Sequence, residues 1–360
     1  MSLAPTPGRA QVVGLGLIGS SVALALRKAG WHVAGTDAAP ARADRARELG
    51  VVEALGVDHR AGLAVVATPV AAVPGVVRAL LEADEAGELV VTDVGSVKAG
   101  IVAALPDPRF VGGHPMAGSE QEGPDGADPD LFVGSTWVLT PTAVTAEGSF
   151  SRVAGVARSL GADVVALGPD RHDALVAMVS HVPHLTAATL MALAADASEE
   201  QAALLRLAAG GFRDMTRIAA GEPAIWPDIF RDNAQAVLEV LDAFRERLDE
   251  ARRIVAEGDR EALFALLARA RHARRNLPTR GPRPEEAVEL RVPVPDRTGV
   301  LAEVTTLLGE RGVNVRDLEI AHSVEGDRGV LVLVVDADAA EAARAALAER
   351  GYRPAARPLE

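Results

Sequence analysis

The 360-residue chain has no cysteine, which excludes disulfides, thiol chemistry and thiolate metal sites. Basic charge is scarce as well. Lys and Arg total 37 against 50 Asp and Glu, a net charge of −13, so nucleic acid is not expected as a partner. An anionic small ligand must then be held by individual arginines. Lysine is limited to Lys28 and Lys98. Long hydrophobic runs are missing too. The opening "MSLAPTPGRAQVVGLG" has no long apolar core before its first strand-like run, and no segment of the sequence approaches membrane-spanning length. No membrane partner is expected, and a cytoplasmic location is. What is present is 49% hydrophobic content, enough for two or three domains that each bury a core.

Residues 9–168 alternate short apolar runs ("AQVVGLG", "WHVAGTD", "LAVVATP", "LVVTDVG") with Ala-rich amphipathic stretches. This is the pattern of β-α-β units in a doubly wound parallel sheet. Over 169–276 the strand-like runs vanish, and "QAVLEVLDAFRERLDEARRIV" and "REALFALLARARHARRN" carry apolar residues near the helical period, predicting a helical domain. The proline-rich, charged segment 277–287 reads as a linker. Residues 288–360 then read as strand, helix, strand, strand, helix, strand, a small βαββαβ domain.

In "VVGLGLIGSS" the residues Gly14, Gly16 and Gly19 have G-x-G-x-x-G spacing between a strand and a helix. The first glycine permits the tight turn, the second lets backbone approach a pyrophosphate, and the third lets helix pack on strand. Leu17 and Ile18 lie inside the motif. Asp37 follows the second strand, 18 residues after Gly19, where a carboxylate accepts the ribose hydroxyls of NAD and repels the 2′-phosphate of NADP. Arg42 and Arg45 nearby leave some NADP tolerance open.

Two further loops, "ATPV" with Thr68 and Pro69 and "TDVGSVK" with Ser96, should open on the same sheet edge. The stretch "GGHPMAGSEQEG" follows with His114. A histidine at such an edge is suited to take a proton from an alcohol whose carbon gives up hydride, and Ser96 would bond the other ring nitrogen and fix the tautomer. Read alone, the same stretch fits a turn histidine satisfied by backbone. The dispersed histidines and carboxylates give no metal-ligand spacing, so no metal is expected.

Taken in order, "GLGLIGSS", "ATPV", "DVGSVK", "GGHPMAGSE", "SHVPH" and "GFRDMTRIA" resemble the prephenate/arogenate dehydrogenase family of tyrosine biosynthesis, over roughly 10–275. The resemblance implies a Rossmann-like domain, an all-helical dimerisation domain that makes a homodimer, and NAD-dependent oxidative decarboxylation of prephenate. It makes His114 the catalytic histidine with Ser96 hydrogen-bonded to it. Ser180 and His184 would line the pocket for the substrate side chain, Arg217 would bind carboxylate, and Trp226 would lie near the site. Arg213, four residues before Arg217, is a second substrate-binding candidate on the same helical face, with pairing to Asp214 or Glu120 as the alternative. Pro183 should bend or interrupt the helix carrying Ser180 and His184. His181 and His172 are placed outside the site, His172 as an anchor of the helix start with Asp173.

The segment "VPVPDRTGVLAEVTTLLGERGVNVRDLEIAHS" resembles an ACT domain, a ligand-binding module of amino-acid metabolism. That likeness makes Asp296, Gly299 and Asn314 regulatory candidates and tyrosine the expected effector. The expected activity is that of an NAD-dependent prephenate dehydrogenase. Arogenate dehydrogenase, which gives tyrosine directly, and a non-catalytic NAD and amino-acid sensor are the alternatives.

Overall fold

The protein is described from a computed structural model that covers residues 7–119, 121–200, 205–276, 287–295, 297–322 and 328–358. Two compact units divide the chain, 1–252 and 253–360.

The first unit begins with β1 (Arg9–Val13), α1 (Leu17–Lys28), β2 (His32–Thr36), α2 (Pro40–Glu48), β3 (Ala54–Leu55), β4 (Leu63–Val66) and α3 (Val73–Ala83). It continues with β5 (Val90–Asp93), α4 (Ala99–Ala103), β6 (Phe110–Pro115), β7 (Thr136–Thr140), α5 (Glu147–Ser159) and β8 (Asp163–Ala166). The strands form one sheet in the order β3-β2-β1-β4-β5-β6-β7-β8. Every residue of β4 and β5 is buried, which is why these strands read as unbroken apolar runs: helices cover both faces. Chain order reverses between β1 and β4, and such a switch point opens a ligand crevice at the carboxyl ends of the strands.

The pairing is parallel from β3 through β6, but β7 runs antiparallel to β6 and β8 parallel to β7. The doubly wound sheet therefore ends in a reversed pair. Parallel return needs a crossover element. α5 supplies one between β7 and β8, whereas among the described residues the stretch between β6 and β7 contains only a short 3-10 turn, Pro124–Gly126.

Beyond the sheet, α6 (Pro169–Val176) runs through a π-helical turn at Ala177–His181 directly into α7 (Val182–Glu200). Pro183 therefore does not interrupt the helix. Its missing N–H is accommodated by a widened turn just upstream, a known way to absorb a lost i→i−4 bond. The continuous helix Pro169–Ala197 is long and apolar enough, by length and composition, to cross a membrane, which corrects the expectation that no segment approaches that length. Polar residues at 172, 173, 181 and 184 break up the run in sequence. His172, Asp173 and His181 are nevertheless buried in the fold and hydrogen-bonded there, although only 28% of the apolar window is buried. The unit closes with α8 (Gly210–Thr216), α9 (Trp226–Asp232) and α10 (Ala234–Glu257), whose Val237 packs with Ala177 and Val182.

α10 crosses the division between the units. The second unit then has α11 (Arg260–Arg275), β9 (Ala287–Pro295), α12 (Val300–Glu310), β10 (Val315–His322), β11 (Arg328–Asp336), α13 (Ala340–Glu349) and β12 (Ala355–Pro358). Asp259 caps α11 by accepting the Ala262 N–H, and α11 buries none of its own residues. The four strands form an antiparallel sheet in the order β10-β11-β9-β12. Leu290, Val292, Leu331 and Leu333 on its inner face pack against Val304 and Leu308 of α12 and Ala346 and Leu347 of α13. Residues 277–286 of the expected linker lie outside the described residues.

Candidate active site

At the switch point the three glycines have three different surroundings. Gly14 has φ +96°, and a Cβ there would overlap the Ala67 carbonyl at the end of β4; a Cβ on Gly19 would overlap the Gly14 carbonyl. These two close the turn. A Cβ on Gly16 would meet nothing within 4 Å. Gly16 is also the N-cap of α1 and has no side-chain cap, so the first N–H groups of the helix are available to an anion. Leu17 and Ile18, in the first turn of α1, are partly buried.

Asp37 lies one residue beyond β2 with its side chain 4% exposed. Its Oδ2 accepts the Leu15 N–H at 2.8 Å and its Oδ1 accepts the Ala39 N–H at 2.8 Å. Arg42 approaches the same carboxylate at 3.3 Å, and Arg45 binds Asp125 (2.6 Å) and Glu48 (3.2 Å). Both arginines near the expected ribose position are therefore engaged by carboxylates. Across the turn, the buried Thr68 hydroxyl has no hydrogen-bond partner among the described residues, and Pro69 is exposed beside it. An open glycine, an uncapped helix start, a braced acid and an unused buried hydroxyl suit a dinucleotide.

The second cluster is built on the ends of β5 and β6. Asp93 and Lys98 form a fully buried ion pair. The Asp93 carboxylate also accepts the Gly95 N–H (2.8 Å) and the Gly113 N–H (3.1 Å). It thereby ties the Ser96 loop to the strand that carries His114. Burial pulls the Lys98 ammonium below the usual lysine range, with Asp93 opposing. Of the six residues of β6, five are fully buried and His114 alone is partly so.

His114 Nδ1 lies 2.8 Å from Nε2 of His172, and His172 Nδ1 lies 2.7 Å from Oδ1 of Asp173. The nitrogen expected to meet Ser96 is thus taken by His172, and His172 belongs to the site. This corrects the sequence reading on both points. The reason is that α6 packs against α4 and β7, which brings His172 to His114 across 58 residues of sequence. Asp173 is anchored by the N–H groups of Lys98 and Ala99, each at 2.8 Å, at the start of α4. The His172 bond and these N–H groups hold its carboxyl below the usual range despite burial.

These bonds limit where the protons can lie. An ionised carboxylate accepts only, so His172 Nδ1–H donates to Asp173. In the state in which His114 can act as a base, His172 Nε2 carries no proton and accepts from His114 Nδ1–H. His114 Nε2 is left with its lone pair. Burial first, then His172, Lys98 and His181, push His114 well below the usual histidine range, so it is neutral.

On the helical side, Ser180 lies in the π turn, partly buried. His184, in the first turn of α7, stacks on Trp226 with centroids 3.6 Å apart and planes at 14°; burial lowers its pKa. His181 is buried, contacts Asn233 Nδ2 through Nδ1 at 3.2 Å, and is pushed down to about 4, mainly by burial. Asn233 also donates to the Asp173 carbonyl at 2.8 Å. Arg213 lies in α8, and Arg217, directly after its end at Thr216, starts a 3-10 turn that packs against α7. The Arg213 guanidinium donates to the Ala208 carbonyl at 3.2 Å. Its expected alternative partner Glu120 lies outside the described residues.

In the second unit, Gly299 has φ +89° and is the N-cap of α12, a left-handed position that favours glycine. Asn314 is exposed just before β10, and Asp296 lies outside the described residues.

Residues 22–166 match the nucleotide-binding domain of prephenate dehydrogenase, 168–269 its dimerization domain and 288–351 the ACT domain. The prephenate dehydrogenase of Bacillus subtilis (strain 168) is 34% identical over 340 residues, 91% of this chain and 92% of that protein. The chain belongs to the prephenate dehydrogenase family. A family crystal structure from A. aeolicus, in complex with hydroxyphenyl propionate and NAD+, has a TM-score of 0.71 at 29% identity. It covers 76% of this chain and 100% of that one. A Synechocystis arogenate dehydrogenase structure has a TM-score of 0.63 at 31% identity over 74% of this chain and 98% of that one.

Within this prephenate dehydrogenase fold, the residues that sequence reasoning missed are His172, Asp173, Asn233 and the Asp93–Lys98 pair. "DRHDAL" did carry a signal in its adjacent histidine and aspartate. What it lacked was any local indication that His114 lies opposite them.

Proposed function

We propose that the protein catalyses the NAD-dependent oxidative decarboxylation of prephenate to 4-hydroxyphenylpyruvate. The observation that carries this reading is the setting of His114, an imidazole at the sheet edge that burial keeps neutral, with Nδ1 engaged by His172 and Nε2 left for the substrate. Such a group takes the hydroxyl proton as the alcohol carbon is oxidised. NAD, when bound, supplies the acceptor for the hydride leaving that carbon.

The chain's own residues account for the rest. Gly14, Gly16 and Gly19, with Leu17 and Ile18 at the start of α1, admit the pyrophosphate. Asp37 holds the adenosine ribose, and Thr68 and Pro69 border the same crevice. Because Asp37 and Asp125 occupy Arg42 and Arg45, neither is free to bind a 2′-phosphate, which favours NAD over NADP. Ser96 lies on the loop that Asp93 and Lys98 brace and orients the substrate hydroxyl towards His114. Ser180 and His184, the latter stacked on Trp226, line the side-chain pocket, and Arg217, with Arg213 nearby, holds carboxylate. Loss of carbon dioxide makes the ring aromatic and drives the reaction forward.

Arogenate is the second reading, favoured by the likeness to the Synechocystis arogenate dehydrogenase and by neutral Ser180 and His184, which suit a keto or an amino side chain. The chain acts as a homodimer, with exposed Leu193, Leu238 and Leu248 in the segment matching a dimerization domain. Its ACT domain takes an amino-acid effector, tyrosine, through the turn at Asp296 and Gly299 and the approach to β10 at Asn314. A cytoplasmic location completes this reading.

The test is the appearance of reduced nicotinamide with prephenate or arogenate, NAD or NADP, with and without tyrosine. Turnover of prephenate with NAD, suppressed by tyrosine, is the expected result. His114→Asn should cut kcat by about 10²-fold or more while NAD still binds. A variant as fast as the parent would overturn the assignment of His114, and no turnover of either substrate would favour a sensor.

A further inference from the structure

The chain from His114 through His172 to Asp173 is built to move charge as well as to hold a ring. We propose that the proton His114 takes from the substrate hydroxyl is relayed to His172, so that the imidazolium formed in the reaction rests beside Asp173. The inference rests on the reading of His114 as the proton acceptor and makes His172 and Asp173 positioning residues for that reaction.

The geometry supplies each transfer. The substrate O–H bond breaks as an N–H bond forms on His114 Nε2, and the oxygen keeps the electron pair that becomes part of the carbonyl. His114 Nδ1–H then breaks as an N–H bond forms on His172 Nε2, along a contact of 2.8 Å. His172 Nδ1–H stays bonded to Asp173 at 2.7 Å. His114 ends neutral in its other tautomer, and the positive charge sits against a carboxylate. After product leaves, His114 Nε2–H passes to water and His172 returns its proton to His114 Nδ1, restoring the starting state.

The surroundings favour the far ring. His114 and His172 are faced by Lys98 at the start of α4, by Asp93 at the end of β5, by His181 in the π turn and by Asp173 on α6. Asp93 is committed to Lys98 and to the N–H groups of Gly95 and Gly113. Burial, Lys98 and His181 all disfavour a charge on His114. Asp173 touches His172 directly, and its carboxylate is held in place by two backbone N–H groups of the Ser96 loop and α4. A proton left on His114 would be a poorly compensated buried cation; one step away it forms an ion pair.

The experiment uses the full chain with prephenate and NAD, comparing the parent with His172→Gln and His172→Asn. Two side chains of different length guard against one that packs badly, and NAD affinity with a thermal melt shows that each is folded. The expected result is a fall in kcat of about a hundredfold with KM for prephenate and NAD changed less than about threefold. The acid limb of kcat against pH should also move to lower pH, because the protonation site supported by Asp173 is gone and His114 alone resists protonation. Unchanged kcat in both variants would overturn the relay. So would a loss of kcat with the acid limb unmoved, the signature of a packing role. A parent chain that turns over neither prephenate nor arogenate would instead overturn the functional reading, and the relay with it.

Discussion

At the residue scale, one amino acid in one motif serves different physical ends. Gly14 and Gly19 are required by packing, since a methyl at either position meets a backbone carbonyl that cannot yield. Gly16 has open space where its side chain would be and an ordinary negative φ of −72°, so nothing in the folded protein itself demands glycine there. The two classes separate experimentally. Gly19→Ala should lower stability by about 1–3 kcal/mol, as overpacking does, and weaken NAD binding as well. Gly16→Ala should leave the thermal midpoint within a few degrees while NAD affinity falls at least about tenfold. Melting curves with NAD titrations decide it; if Gly16→Ala bound NAD like the parent, the glycine loop would not be the pyrophosphate site.

At the scale of elements, the long α6–π–α7 helix brings together groups that the sequence scatters. Asp173 caps the start of α4 from about 75 residues away, a substitute for the local side-chain cap that α4 lacks. The π turn carries His181 into the interior, where burial pushes it from 6.5 to about 4. The folded pKa is therefore below the unfolded one, so the unfolded chain takes up the proton first as pH falls. The stability tied to neutral His181 is complete above about pH 6.5 and is lost between there and about pH 4. His114 and His184 act in the same direction. Thermal midpoints between pH 8 and 4 should decline from about pH 6.5, before ordinary carboxylates titrate, with a slope of up to about 1.4 kcal/mol per pH unit for each such histidine. A midpoint flat from pH 6.5 to 4.5 would contradict the buried neutral state.

At the scale of the whole molecule, the exposed apolar residues raise the question of what covers them. On α10, Phe244, Leu248 and Val255 are 37%, 53% and 65% exposed at spacings of four and seven, near the helical period, and Leu238 is 60% exposed. A stripe of this kind on a soluble helix is normally buried against something, and the segment matches a dimerization domain. Leu238→Glu together with Leu248→Glu should shift the chain from dimer to monomer in sedimentation equilibrium and expose it to aggregation. A double variant that stays dimeric would place the contact elsewhere.

What the sequence determined by itself is whatever depends on near neighbours in the chain. The glycine loop, the acid after β2, the amphipathic periods of α10 and α11 and the βαββαβ order of the second unit are local patterns, and they were legible because turn geometry and helical repeat act over a few residues. The reversal of β7 was not legible, because strand direction depends on whether a crossover packs on the sheet. Nor was the continuity of the helix through Pro183, since a π turn leaves no mark in composition. Above all, the sequence pointed to His114 but not to its partner. Only the packing of α6 against the sheet edge sets His172 and Asp173 behind that ring. A hydrogen bond spanning 58 residues has no periodicity or spacing to announce it, and it was tertiary structure that decided which nitrogen of His114 has a partner.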